Sequence, residues 1–197
     1  MSDLRERKRR RTMAHVQSVA LDLFDERGFD AVTIEEIAER AEVSPSTIYR
    51  QFRTKEGIII HDEWDEEGVA VLEEMFSKDD PMAEIGMYLS FIVEHMAEDG
   101  ETRAFRRMRW AVTHPGVRRV GYGYLDELSR IIAEILVERR GLPPIQANAG
   151  AHAMVFGVWA ALEHWYVDGP DRPAGEVLVE VVQFLGESFG RMLTQRG

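Results

Sequence analysis

Residues Thr33 to Phe52 read "TIEEIAERAEVSPSTIYRQF", and two helix starts are written into them. "TIEE" is a capping box, in which a threonine hydroxyl and a glutamate three residues on satisfy each other's backbone amides; Val32 and Ile37 flank it at the spacing of a hydrophobic staple. The helix it opens turns Ile34, Ile37 and Ala38 inward and is expected to end near Arg40. Ser44 and Pro45 repeat the signal in another form, a serine N-cap with proline at the first helical position, where a missing amide costs little. In the short helix that follows, a 100-degree wheel sets Ile48 and Phe52 on one side and Ser46, Tyr49, Arg50 and Arg53 on the other. Two short helices joined by a brief turn, the second with a polar outer face, form a helix-turn-helix. Hydroxyls, a phenol and guanidinium groups are the chemistry that reaches phosphates and base edges in a major groove.

Upstream, Val16, Ala20, Leu23 and Phe24 make the apolar stripe of a supporting helix that Gly28 ends, and Phe29 and Val32 lead into the capping box. Downstream, apolar residues recur at three and four with no sustained alternation, so the rest reads as helical too. Helices are expected from about Thr54 to Phe76, Pro81 to Glu98, Thr102 to His114 and Val117 to Arg140, the break at His114-Pro115 following from the proline. An uncharged helix within Gly141 to Leu162 comes next, then the loop "DGPDRP", Asp168 to Pro173, and a last helix. The fold class is therefore all-α with about nine helices, divided into a helix-turn-helix module over residues 1–55 and a helical bundle over 56–197.

Charge divides the chain in the same place. The net charge is −11, yet residues 1–60 hold 11 Lys or Arg against 11 Asp or Glu, while the remainder holds 13 against 24. Arg5, Arg7, Lys8, Arg9, Arg10 and Arg11 form a basic arm that is either a solvated tail or a phosphate contact. With no cysteine there is no disulfide, thiolate zinc site or thiol nucleophile, which fits a reducing cytoplasm. No apolar run follows the charged N-terminus, so a secretory signal is not expected. Pro143, Pro144, Gln146, Asn148 and His152 interrupt the uncharged segment, which reads as an interface helix and not a membrane span.

The stretch "ALDLFDERGFDAVTIEEIAERAEVSPSTIYRQFRTKEGI", Ala20 to Ile58, resembles the N-terminal module of the tetracycline-repressor-like (TetR) family of bacterial regulators in length, order and apolar positions. The resemblance implies three helices for DNA, about six for ligand binding and dimerisation, and, for most members, repression relieved by a small molecule, so that residues 1–55 are expected to be the DNA-binding domain and 56–197 the effector-binding and dimerisation domain. It also implies phosphate contacts at Thr33, Ser44, Thr47, Tyr49 and Lys55 and base contacts at Ser46, Tyr49 and Arg50. Two positions depart from the family's habit: Glu42 stands where glycine is common, and Gly57 where an acidic residue is frequent.

One such module buries too little DNA surface to be selective, so a homodimer on a palindromic double-stranded operator is expected. Its seam is read as the small-residue stripe Ala149, Ala153, Gly157, Ala160 and Ala161, completed by Val177, Val181, Phe184, Leu185, Ser188 and Met192. An effector pocket is expected among the fifth to eighth of these helices, lined by Met87, Phe91, His95, Trp110, Tyr124, Phe156 and Trp159, although such aromatic stripes also serve as plain core. The aromatic content favours an apolar or planar effector; the acidity disfavours an anion unless Arg103, Arg106 or Arg109 turns inward. No metal-ligand spacing, cofactor motif or catalytic pair stands out, so an enzyme is the least favoured class. A second part that binds a protein instead of a small molecule would explain nearly as much.

Overall fold

The computed structural model describes residues 2–61, 74–75, 101–169 and 172–194. Every regular element among them is a helix: α1 (Ser2–Arg27), α2 (Ile34–Arg40), α3 (Pro45–Phe52), α4 (Gly57–Ile60), α5 (Glu101–Thr113), α6 (Pro115–Arg140), α7 (Pro144–Asp168) and α8 (Ala174–Thr194). The expected helix from Pro81 to Glu98 lies outside the described residues, as does most of the one from Thr54 to Phe76; its described parts are α4, which ends with His61 in extended backbone, and residues 74–75, which are helical. No described helix is long and apolar enough to cross a membrane.

The chain forms two compact units. The first comprises Met1–Glu66 and Thr102–Gly121, the second Glu67–Glu101 and Tyr122–Gly197, with the boundary falling inside α6. The first unit is thus larger than the helix-turn-helix, because α5 is tied to α1 by charge. Arg106 bonds Asp22 at 2.8 Å and Asp25 at 2.6 Å, Arg109 bonds Asp25, and the Trp110 indole donates to Asp25 at 3.1 Å. Beneath these bonds Val16, Ala20, Leu21 and Phe24 of α1 are buried with Phe29, Val32, Ile37, Ile48, Phe52, Ile58 and Ile59. The ring of Trp110 lies 6.1 Å from those of Phe24 and Phe29.

The termini of the short helices follow local chemistry. Gly28 turns the chain at φ +85°, donating to the Phe24 carbonyl at 2.8 Å. Thr33 caps α2, accepting from the Glu36 amide at 3.2 Å while Glu36 accepts from the Thr33 amide at 2.8 Å. The far end of α2 is a Schellman turn: Val43 N–H donates to Ala38 O at 3.0 Å and Glu42 N–H to Glu39 O at 3.2 Å. Glu42 occupies the left-handed position of that turn at φ 54°, which glycine adopts without strain and a side chain does not. Where the chain leaves α3, Arg53 has φ 64° and ψ −48°, and Thr54 N–H reaches back to Phe52 O at 2.7 Å, a tight γ-turn of the strained kind.

In the second unit Ile132, Ala133, Ile135 and Leu136 of α6 form a core with Leu142, with Ala147, Ala151 and Val155 of α7, and with Val182 of α8. Gly141, at φ +68°, ends α6, and Pro144 opens α7 at its first position.

Candidate functional site

α3 is held by Ile48 and Phe52, both buried, and capped by Ser44, whose hydroxyl accepts from the Thr47 amide at 3.2 Å. That anchoring leaves the other side in water: Ser44, Ser46, Arg50 and Arg53 are exposed, and Tyr49 is 48% exposed. The Ser44 hydroxyl lies 2.8 Å from that of Ser46 and 2.9 Å from that of Thr47, so three hydroxyls cluster at the start of the helix, where unbonded amides favour an anion. Arg50 and Arg53 pair with no acid among the described residues. Thr33, also exposed, sits at the start of α2.

Glu36 carries the strongest electrostatic signature here. The Thr33 amide, then Arg27 at 2.8 Å and the Thr33 hydroxyl, bond its carboxylate and lower its pKa from 4.5 to about 2. The cap is therefore charged at neutral pH, and Arg27 fastens the end of α1 to the start of α2.

Lys55 is placed differently from the exposed face. Its ammonium donates to the carbonyls of Phe29 and Val32, both at 2.8 Å, and lies 4.4 Å from the centre of the Phe29 ring. It clamps the α1–α2 connection, with two of its three N–H groups spent on the backbone. A comparable clamp holds the end of α4. Gln17 donates to the carbonyls of Ile58 and His61 at 2.9 and 2.7 Å, and Arg107 to those of Ile59 and Ile60 at 2.7 and 2.8 Å. Nothing in the local sequence marks Gln17 or Arg107 for that work.

Of the pocket residues read from the sequence, Met87, Phe91 and His95 lie outside the described residues. Trp110 belongs to the first unit, where its ring packs and its N–H is bonded. Arg106 and Arg109 are engaged by Asp22 and Asp25. Tyr124, Phe156 and Trp159 lie on α6 and α7 of the second unit, all partly buried. The structure adds Tyr122, whose ring is 6.1 Å from Phe156 and 6.4 Å from Trp159. No group of three His, Cys, Asp or Glu side chains among the described residues could hold a metal ion.

The small-residue stripe divides between two environments. Gly157 faces Leu185 of α8 within the chain: a Cβ there would meet Leu185 Cδ1 at 3.3 Å, and Leu185 and Val177 are buried. Ala153, Ala161 and Val181 are partly buried, whereas Ala149 and Ala160 are exposed and Phe184 is 66% exposed. Ser188 and Met192 lie within α8.

Comparison with known proteins bears on both parts of the chain. Residues 18–61 match the family of bacterial regulatory proteins, tetR family, and residues 88–190 match the MftR C-terminal domain. The HTH-type transcriptional regulator TcmR of Streptomyces glaucescens is 29% identical over 147 residues, covering 71% of this chain and 65% of that protein, so the match spans just under two thirds of TcmR. Among solved structures, FadR of Thermus thermophilus, a TetR-family transcriptional repressor in complex with lauroyl-CoA, superposes with a TM-score of 0.54 at 21% identity, over 88% of this chain and 92% of that one. The triclosan complex of SmeT, the multidrug efflux pump repressor of Stenotrophomonas maltophilia, gives a TM-score of 0.58 at 17% identity, over 90% of each chain.

Proposed function

The chain belongs to the tetR family of bacterial regulatory proteins, and from that premise we propose that it is a cytoplasmic repressor that binds a palindromic operator as a homodimer and is released by a small apolar or aromatic effector. Its standing as a DNA-binding transcriptional regulator comes with the family. The observation that supports the finer reading is the outer face of α3: Ser46, Tyr49 and Arg50 are exposed on a helix rooted by Ile48 and Phe52, and Arg50 is not spent on any described acid.

In this reading the hydroxyls of Ser44 and Thr47, the Tyr49 phenol and the capped start of α2 at Thr33 set the module on the phosphates. Lys55 contributes by holding the α1–α2 connection and by its one remaining N–H. Arg50 reads guanine, since a guanidinium bonds both major-groove acceptors of that base at once, with Ser46 and Tyr49 beside it. Self-association through the exposed parts of α7 and α8, around Ala149, Ala160 and Phe184, doubles the site. A bundle that fits its effector better when the two modules are wrongly spaced weakens operator binding by the same factor by which DNA weakens effector binding.

Arg50→Ala tests the base-reading role. Measured by fluorescence anisotropy on the preferred duplex and on variants at each base pair, it should cost about 1–3 kcal/mol and relax the preference at one symmetric position. An equal loss on every duplex would refute that role.

A further inference from the structure

Four rings of the second unit meet on facing sides of α6 and α7. Tyr122 stands edge-on to Trp159, at 86° and 6.4 Å, and tilted against Phe156 at 6.1 Å, while His152 stacks on Phe156 at 6.2 Å and 4°. His152, Phe156 and Trp159 follow one another at the four- and three-residue steps that keep a single helical face. Of the two nitrogen-bearing rings in the cluster, one is matched and the other is not. His152 Nδ1 faces the Asn148 carbonyl at 2.9 Å and its Nε2 faces Asp126 at 3.2 Å; Asp126 also accepts from Arg130 at 2.7 Å. The unmatched ring is that of Trp159, whose Nε1 is buried with no hydrogen-bond partner among the described residues.

Two other tryptophans show what this chain ordinarily does with an indole. Trp110 donates to Asp25 at 3.1 Å and Trp165 to the Arg172 carbonyl at 2.8 Å. A buried donor with no acceptor is costly, and native folds keep few of them without a use. Ring area alone does not account for tryptophan at 159, because phenylalanine offers an apolar ring without a donor to satisfy.

We propose that Trp159 Nε1–H is the hydrogen-bond donor of an effector subsite walled by Tyr122, Phe156 and Trp159, and that the subsite takes a flat aromatic molecule bearing a neutral acceptor oxygen such as a ring carbonyl. The inference rests on the effector-released reading above and names the chemistry of its ligand. Offset and edge-on ring contacts select a planar aromatic body. The orphaned N–H selects an acceptor, and Asp126 beside the cluster, in a region with 13 basic against 24 acidic residues beyond residue 60, selects against a carboxylate.

A matched pair of probes tests it: 9-fluorenone and fluorene share a flat three-ring skeleton and differ in the carbonyl. In equilibrium dialysis against the full chain, fluorenone should bind at least about ten-fold more tightly than fluorene, the discrimination expected of one hydrogen bond to a buried donor. Trp159→Phe, which keeps a ring and deletes the donor, should bring that ratio close to one. Equal binding of the two compounds by the wild-type chain would overturn the donor role without any variant, and so would a variant that loses affinity for both compounds alike. Failure of both compounds to bind would overturn the aromatic ligand class. The regulatory reading is separated by adding fluorenone to the protein–operator complex: selective binding that leaves operator affinity unchanged would support the subsite and count against effector release.

Discussion

Gly57 is the position at which the addition of one carbon should do most harm. A Cβ built on it would lie 1.9 Å from the Phe52 carbonyl oxygen and 3.0 Å from the carbonyl carbon, whereas carbon and carbonyl oxygen ordinarily approach no closer than about 3.3 Å. The obstacle is backbone and cannot swing aside as a side-chain tip would. That same carbonyl closes the γ-turn at Arg53, so moving it by more than about 1 Å gives up a bond worth about 1 kcal/mol net, on top of an overpacking penalty of about 2 kcal/mol. Gly57→Ala is therefore expected to destabilise the first unit by about 3 kcal/mol. Urea unfolding followed by the Trp110 indole NMR signal reads that unit directly, since Trp110 packs against Phe24 and Phe29 there. The identical substitution at Gly123 supplies the control. It lies inside α6 in the second unit, where among the described residues no atom beyond its chain neighbours and its own helix backbone comes within 4 Å of the added carbon, so alanine should stabilise that unit by about 0.8–1 kcal/mol through helix propensity. A Gly57→Ala variant within about 0.5 kcal/mol of wild type, the scatter of neutral surface changes, would refute the reasoning.

Three further outcomes are expected. Glu42→Gly should raise stability by about 0.5–1 kcal/mol, because a side chain in the left-handed region costs about 1–2 kcal/mol and glycine returns part of that as chain entropy; a loss of stability in thermal unfolding would contradict the strain assigned to φ 54°. Glu36→Gln should destabilise at neutral pH. Since the folded-state pKa is depressed from 4.5 to about 2, the carboxylate's contribution is complete above pH 4.5 and lost as pH falls through about 2, so the wild-type advantage in urea titrations should fade across that window. An advantage undiminished at pH 2 would count against the charged cap. Finally, Arg5, Lys8 and Arg11 are exposed on successive turns of α1 and pair with no described acid. If all three meet phosphate, their joint replacement by alanine should flatten the slope of log K against log salt by about 2.7 per protomer, and an unchanged slope would make the arm a solvated extension.

What could be read from the sequence is what depends on near neighbours. The reciprocal cap of Thr33 and Glu36, the Ser44-Pro45 start and the inward placement of Ile48 and Phe52 are settled within four residues, and the structure carries each of them. Glycine at 28 and proline at 115 likewise mark helix limits through their own backbones. Contacts distant in sequence carried no such mark. Asp25 and the α5 residues that bond it, Arg106, Arg109 and Trp110, are more than 80 positions apart, and no periodicity shows that they tie α5 to α1. Lys55 sits where the family resemblance implies a phosphate contact, yet its ammonium turns back onto two carbonyls 23 and 26 residues earlier. The small-residue stripe of α7 was visible as a pattern, but only coordinates separate Gly157, packed on Leu185 of the same chain, from the exposed Ala149 and Ala160. The γ-turn at Arg53 escaped because arginine is not a residue that announces positive φ; its trace in the sequence is the glycine four positions later.

Selection of bound duplexes from a random DNA pool, at low and at physiological salt, tests the central claim most directly, because phosphate contacts lose strength with salt while base discrimination persists. A sequence-reading dimer built on α3 predicts enrichment of one palindrome under both conditions, with half-sites about one helical turn apart or a multiple of it. Binding without enrichment, or enrichment of a single asymmetric half-site, would contradict it.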